Sequence, residues 1–269
     1  MVDDDLIELC HRHIIHAWLD RVRHTERAVG HQFGFEVVQR ETTTALLAHQ
    51  WPRNSANVPF HRVFNYYAPP DSARDPLLDR LQDAHIDAVV EVLPGPHQAH
   101  AEHVLRSYAF QPMWSIPWLY IPVEQCSFAW PSTATVGQLD PAQLDQLAAL
   151  LIAGYGYTGE EALAWRCLAQ YGYAAPGFAC FLARHGEHPA AIGVLHLHDI
   201  SALVDGATTL PQYRGRGLQK VLLATRIRYA GDHGALHVFS RTGSGSISQA
   251  NMHKLGMRLL VQSTAWRRG

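Results

Sequence analysis

Apolar runs, alternations and their punctuation by Gly, Pro and Ser divide the chain into a regular series of elements. Residues 5–27 read as a long helix. Strands follow at 35–39 and 42–49, a loop at 51–55, a strand at 61–67 and a turn at 68–72. A helix is expected over 75–85, with Pro76 in its first turn, where a missing N–H costs nothing. A buried strand at 87–93 is closed by Pro94-Gly95-Pro96, and a helix at 97–108 leads into a strand at 114–122.

Residues 126–131 read as a connector. Beyond it a strand is expected at 133–139, a helix at 142–153 introduced by Asp140-Pro141, and a helix at 159–171. Residues 178–185 and 190–198 form a hairpin turned by Gly186-Glu187-His188-Pro189. A strand at 203–210, a Gly-rich turn, a helix at 218–229, a strand at 236–240, a helix at 246–255 and a strand at 258–266 complete the chain.

The second half is thus β-α-α-β-β-β-α-β-α-β, and the first half closes with a similar β-α-β-α-β run. Leu105-Arg106-Ser107-Tyr108-Ala109-Phe110 follows its helix much as His253-Lys254-Leu255-Gly256-Met257 follows the later one, which points to a diverged internal duplication. The fold class expected is α/β (α+β), with two mixed-sheet domains in tandem at 1–125 and 126–269.

Composition changes little in that picture. With 47% hydrophobic and 17% charged residues the chain has ample material for a core, and its net charge of -2 provides no global field for nucleic acid or acidic membrane. The scattered Cys10, Cys126, Cys167 and Cys180 form no CxxC pair and read as ordinary thiols of a reducing compartment. The acidic start and the lack of a run of roughly 20 apolar residues make a cytoplasmic protein with no membrane partner the expectation. Eighteen histidines invite a metal reading, but His13 and His16 share a helical face from which His11 lies well off. Two imidazoles without a third ligand make a poor site, so no metal is expected and a solvated helix face is.

Chemistry concentrates in Leu210-Pro211-Gln212-Tyr213-Arg214-Gly215-Arg216-Gly217-Leu218-Gln219-Lys220, where a strand ends, two glycines turn and a helix begins. Such a turn aims backbone N–H groups at one point with the helix dipole behind them, an anion site suited to a pyrophosphate. No acid lies between Asp205 and Asp232, whereas Arg214, Arg216, Lys220, Arg226 and Arg228 all do. Cations at a helix N-terminus are disfavoured by roughly 0.3–1 kcal/mol each, so the three packed there suit a polyanion. A P-loop would need GxxxxGK[ST] and a Rossmann turn GxGxxG with a distant acid; neither pattern is met.

Here the chain resembles the GNAT superfamily of acyl-CoA N-acyltransferases, whose signature is a strand, R/Q-x-x-G-x-G/A and a helix. Arg214 to Gln219 is similar to it, with Gln219 in place of the final small residue. Asn251-Met252-His253-Lys254-Leu255-Gly256-Met257 is similar to the family's later motif. The likeness spans 133–268; residues 1–125 resemble the degenerate N-terminal half of tandem members and have no RxxGxG equivalent.

The resemblance implies acetyl-CoA, or another short acyl-CoA, as cosubstrate. Its pantetheine arm would lie along Ala207, Thr208 and Thr209. Its pyrophosphate would sit on Gly215, Arg216, Gly217, Leu218, Gln219 and Lys220, with Arg214 and Asn251 beside them. The implied reaction is acyl transfer to a primary amine of a small molecule or peptide, without nucleic acid. Asp205 is the first candidate base; His196, which with His198 alternates onto the face of Ile192 and Val194, is a second or merely lines a half-buried sheet face. The family's usual tyrosine acid is replaced by Met252, which cannot donate a proton, leaving water, His253 or Ser248. A CoA-binding pseudoenzyme or regulator is the alternative, and an aminoacyl-tRNA-dependent transferase a third.

Overall fold

A computed structural model describes residues 4–52, 60–68, 74–126 and 134–268. Beyond Cys126 the expected connector falls outside these residues, as do positions 53–55 of the expected loop and 69–72 of the expected turn. By its internal contacts the chain divides into two units. One comprises Met1–Gly30 and Trp118–Leu260, the other His31–Pro117 and Val261–Gly269. The division is discontinuous, unlike the single boundary expected after residue 125. The reason is that the first helix, α1 (Asp4–Val29), finds its apolar partners in the later part of the chain.

In the smaller unit, strands β1 (Phe35–Arg40), β2 (Thr43–Ala48), β3 (Arg62–Phe64) and β4 (Val89–Val92) pair in that order, β3 and β4 in parallel. Helices α2 (Pro76–Asp83) and α3 (Gln98–Ser107) accompany them. Leu78, Leu81, Leu105 and Trp266 form a closed core with Ala45, Val63 and Val90. Asp75 caps α2: its buried carboxylate accepts from Leu77 N at 2.8 Å, from the Tyr66 hydroxyl and from the Arg40 guanidinium. With Leu78 N at 3.4 Å as the fourth, four donors satisfy one carboxylate, which is what lets it stand at 0% exposure.

In the larger unit the sheet runs β6 (Ala134–Leu139), β7 (Phe178–His185), β8 (His188–His198), β9 (Ser201–Thr209), β10 (His237–Arg241) and residues 118–122 of β5 (Phe110–Pro122). Only β9 and β10 are parallel. The hairpin turn is tighter than expected, because β8 already begins at His188. Strand β8 is buried on both faces. Ile192 and Val194 pack with Leu147 and Leu151 of α4 (Leu144–Tyr155), while Ala191 and Leu195 pack with Leu222 and Ile227 of α6 (Leu218–Asp232). The helix expected at 159–171 is instead α5 (Gly159–Cys167) followed by a π-helical segment, Leu168–Gly172. Gly172 lets α1 approach that segment closely; a Cβ there would stand 2.4 Å from Arg21 Cγ. Helix α7 (Ile247–Lys254) and β11 (Arg258–Arg268) follow.

A chain of polar side chains fastens α1 to this sheet, so the expectation of a solvated histidine face is corrected for His13. That residue is 1% exposed. Its Nε2 lies 3.1 Å from the His196 carbonyl oxygen, which can only accept, so Nε2 carries the proton. It follows that His13 Nδ1 accepts from the Ser201 hydroxyl at 2.6 Å and that Nε2–H is shared with His196 Nδ1 at 3.0 Å. His196 Nε2–H then donates to Asp20 at 3.1 Å. Ser201, His13, His196 and Asp20 thus form one satisfied network with both imidazoles neutral, flanked by His198, on which His16 stacks. Among the described residues no group of three His, Cys, Asp or Glu side chains is placed to hold a metal ion, and no helix is long and apolar enough to cross a membrane.

Burial, and then the neighbouring His196 and His198, lower the His13 pKa to about 3; burial also lowers that of His196, against the pull of Asp20. Protons therefore bind the unfolded chain in preference, and the stability these groups confer is complete above the ordinary value near 6.5 and lost as pH falls toward 3. Between pH 7.5 and pH 5 each histidine should cost roughly 2 kcal/mol of unfolding free energy. Denaturant melts at the two pH values check this, and His13→Asn should flatten the dependence.

Candidate functional site

Strands β9 and β10 pair from Ser201 with His237 to Val204 with Ser240, and no further. β9 continues to Thr209 bound only to β8, so residues 205–209 have no strand partner on the β10 side among the described residues. A bulge causes the parting. Val194 faces Asp205 and Gly193 faces Ala207, which leaves Gly206 as the extra residue. Its φ of +42° favours glycine, and a Cβ would stand 2.7 Å from the Tyr173 hydroxyl.

Arg226 of α6 holds the bulge from beneath. It is 2% exposed, and its Nη1 donates to the carbonyls of Val194 at 2.9 Å and Asp205 at 3.1 Å, its Nε to Leu222 O. Gly193 leaves the space; a Cβ there would lie 2.7 Å from the guanidinium carbon. Burial draws the Arg226 pKa down to about 10, with Asp205 opposing, and it remains a cation at neutral pH. Arg226, one of the five cations of this stretch, therefore spends its charge inside the fold.

The parted strands open onto a cavity of about 660 Å³. Across it the chain turns through Pro211–Tyr213 into α6, with Gly215 and Gly217 both at φ +78°. Gly217 is the N-cap residue, and no side chain caps the helix. Uncapped first-turn N–H groups at the positive end of a 15-residue helix make an anion site. Arg214 is turned back: its Nε donates to Thr209 O at 3.2 Å and its Nη2 to Gly154 O at 3.3 Å, pinning the loop to β9 and α4. Gln219 Nε2 donates to Thr209 Oγ1 at 2.9 Å, so the residue in place of the small one joins the loop to the strand. Arg216 reaches His185.

Every residue expected to hold the cosubstrate borders this one cavity: Ala207, Thr208, Thr209, Arg214, Gly215, Arg216, Gly217, Leu218, Gln219, Lys220 and Asn251. Of Asp205, His196 and His253, only Asp205 does. His196 lies within the buried network below α1, and an exposed His253 spends its Nδ1–H on Met257 O at 3.0 Å, closing the end of α7. Met252 and Ser248 also border the cavity.

Two contributors went unnoticed in the sequence. The Tyr155 hydroxyl donates to Ala207 O at 3.1 Å. Surrounding chain first and the Asp205 charge second push its pKa up to about 12, although 47% of the residue stays open as a cavity wall, where solvent softens the effect of burial. Arg21 of α1, 4% exposed, donates to the Tyr173 hydroxyl at 2.8 Å, lies 3.6 Å from Asp205 Oδ2 and stacks on Trp18. Tyr155 ends a helix at an αL glycine, Gly156, a pattern that marks a helix end and not a site.

No protein-family model matches the chain, and neither does any curated protein. Solved structures do. A GCN5-related N-acetyltransferase from Kribbella flavida aligns over 92% of this chain and 95% of its own, at 14% identity and a TM-score of 0.60. A tandem GNAT protein from the clavulanic acid biosynthesis pathway aligns over 84% and 78%, at 12% and 0.59. A GCN5-related N-acetyltransferase from Sphaerobacter thermophilus covers 70% and 62%, at 15% and 0.55. The chain has the fold of the GNAT N-acetyltransferases in tandem form, the α/β class expected. At these identities the likeness is one of fold.

Replacing Arg226 by Met should leave the Val194 and Asp205 carbonyls unpaired beneath the bulge. A loss of about 2–4 kcal/mol in chemical denaturation is expected, whereas Arg228→Met, at an exposed position of the same helix, should change little.

Proposed function

We propose that the protein is an N-acyltransferase that moves an acetyl or other short acyl group from acyl-CoA to a primary amine. One observation carries this reading: the parted end of β9 and the uncapped N-terminus of α6 face a single cavity. The residues present suit the cosubstrate. The first-turn N–H groups of α6 and Lys220 match a pyrophosphate. The unpaired edge at 205–209 matches an extended arm added as a strand, with the Ala207 and Thr209 carbonyls already taken by Tyr155 and Arg214.

Asp205 takes one proton from the bound ammonium and passes it to solvent. The freed amine nitrogen forms a bond to the thioester carbonyl carbon, and backbone N–H groups near Thr209 steady the oxyanion. The C–S bond then breaks, the nitrogen sheds its second proton, and the thiolate regains one from solvent. Met252 supplies no acid, and none is needed, since an ordinary thiol with a pKa of about 8.5 is a tolerable leaving group. Met252 also motivates a second reading, a CoA-binding regulator without turnover. Arg226 is buried, which subtracts from the basic stretch that an RNA partner would use.

Calorimetry with acetyl-CoA should give micromolar binding that Gly217→Trp abolishes; absence of binding by folded wild-type protein would sink the reading. Asp205→Asn should retain that affinity and lose 10²–10⁴-fold, to order of magnitude, in thiol release with an amine panel. Binding without turnover on any amine would select the regulator.

A further inference from the structure

Asp205 stands where the strands part, and its two oxygens are not equivalent. Oδ2 faces Arg21 of α1, whose Nη1 lies 3.6 Å away, while Oδ1 has no hydrogen bond or ion pair among the described residues. The side chain is 38% exposed and is the sole carboxylate among the described residues lining the cavity. Rotation of an aspartate about χ2 is broad, so a carboxylate left to solvent would present either oxygen to the cavity. A cation fixed on one side removes that freedom.

Arg21 is itself built in. Its guanidinium carbon lies 3.8 Å from the centre of the Trp18 ring, and its Nη1 donates to the Tyr173 hydroxyl at 2.8 Å. Gly172 leaves room for its stem, since a Cβ there would stand 2.4 Å from Arg21 Cγ. The residue before it, Asp20, accepts from His196 within the buried network. Nη1 makes the polar contacts of the side chain; Nε and Nη2 are buried without a hydrogen-bond acceptor among the described residues. A half-satisfied buried guanidinium destabilises a fold. An apolar side chain stacked on Trp18 would avoid that cost, so packing does not account for a cation here. The one carboxylate it pairs with among the described residues is Asp205.

We propose that Arg21 is a positioning residue for the acyl transfer: it holds Oδ2 of Asp205 on the α1 side, so that Oδ1 meets the acceptor ammonium. The proposal rests on the transferase reading above and on Asp205 as its base, and gives α1 a part in the chemistry. The N–H bond of the ammonium breaks, an O–H bond forms at Oδ1, and the proton passes from there to solvent. The freed lone pair is then directed at the thioester carbonyl carbon. Arg21 does not line the cavity, so its effect on the reaction runs through Asp205.

Thiol release from acetyl-CoA, with the best amine of a panel, tests this in a double-mutant cycle of Arg21→Met and Asp205→Asn. Arg21→Met alone should lower kcat roughly ten- to a hundredfold, with little change in either KM and with acetyl-CoA affinity by calorimetry intact. Added to Asp205→Asn it should cost little more, because the carboxylate it orients is gone. Arg21→Lys should recover part of the rate. Tyr173→Phe, which keeps the ring and removes the hydroxyl that Nη1 grips, should lose a smaller part in the same cycle.

An Arg21→Met enzyme as fast as the wild type overturns the proposal. So does a loss by the same factor with and without Asp205, which marks Arg21 as a packing residue; in both cases the transferase reading stands. If Arg21→Met does not fold, Tyr173→Phe and Arg21→Lys carry the cycle, and equal losses in the two backgrounds overturn the proposal in the same way. Undiminished turnover by Asp205→Asn removes the base role and this inference together. Folded wild-type protein that binds no acetyl-CoA, or binds it and acylates no amine, overturns the transferase reading as well.

Discussion

The site depends on one bulge. A β-strand held by neighbours on both sides offers no open edge, and a parallel pair such as β9 and β10 would ordinarily run on together. Gly206 interrupts the register with β8, adopts a φ that side chains avoid, and turns β9 away after Val204. Arg226 then supplies donors to the carbonyls on either side of the irregularity from within the core. Neither part suffices alone. The bulge without the guanidinium would strand buried carbonyls, and the guanidinium without Gly193 would find no room.

From this follows the arrangement of charge in the cavity. The α6 end has helix N–H groups, Arg216 and Lys220; the fork has Asp205, the one carboxylate among the described residues of the lining, with the Arg21 guanidinium 3.6 Å away. On the transferase reading proposed above, an anion at one end and an amine at the other would meet complementary fields. Arg214 and Gln219, polar and cationic in the sequence, act as ties between loop and strand, which keeps the distance between the two ends fixed.

Local chemistry was legible in the sequence, and long-range chemistry was not. Gly215 and Gly217 announce their turn because φ is a property of one residue, and all eleven positions around them prove to border one cavity. Helices and strands were readable because their apolar period is local too. Arg226 was counted with the basic stretch because charge along a chain says nothing of depth: its side chain points inward from the same helix that presents Arg228 to solvent. His196 alternated with apolar neighbours as a half-buried residue would, but the partner that removes it from chemistry, His13, lies far away in sequence. Tyr155 and Arg21 carried no signal, since a tyrosine at a helix end and an arginine in an amphipathic helix are both ordinary.

The same reasoning explains why a helix from the start of the chain belongs with strands from its end. Strands β8 and β9 bury apolar side chains on both faces, so each face needs a cover. Helix α6 provides one, and α4 with the π-helical segment provides only part of the other. α1 completes it, and a helix laid on that face necessarily brings its own side chains to the fork. Arg21, stacked on Trp18, arrives there by packing, with Gly172 cleared to admit it. Once a guanidinium is lodged behind Asp205, the carboxylate is no longer an isolated anion. Its charge is balanced from within the fold, so the way the sheet is covered sets the field at the fork.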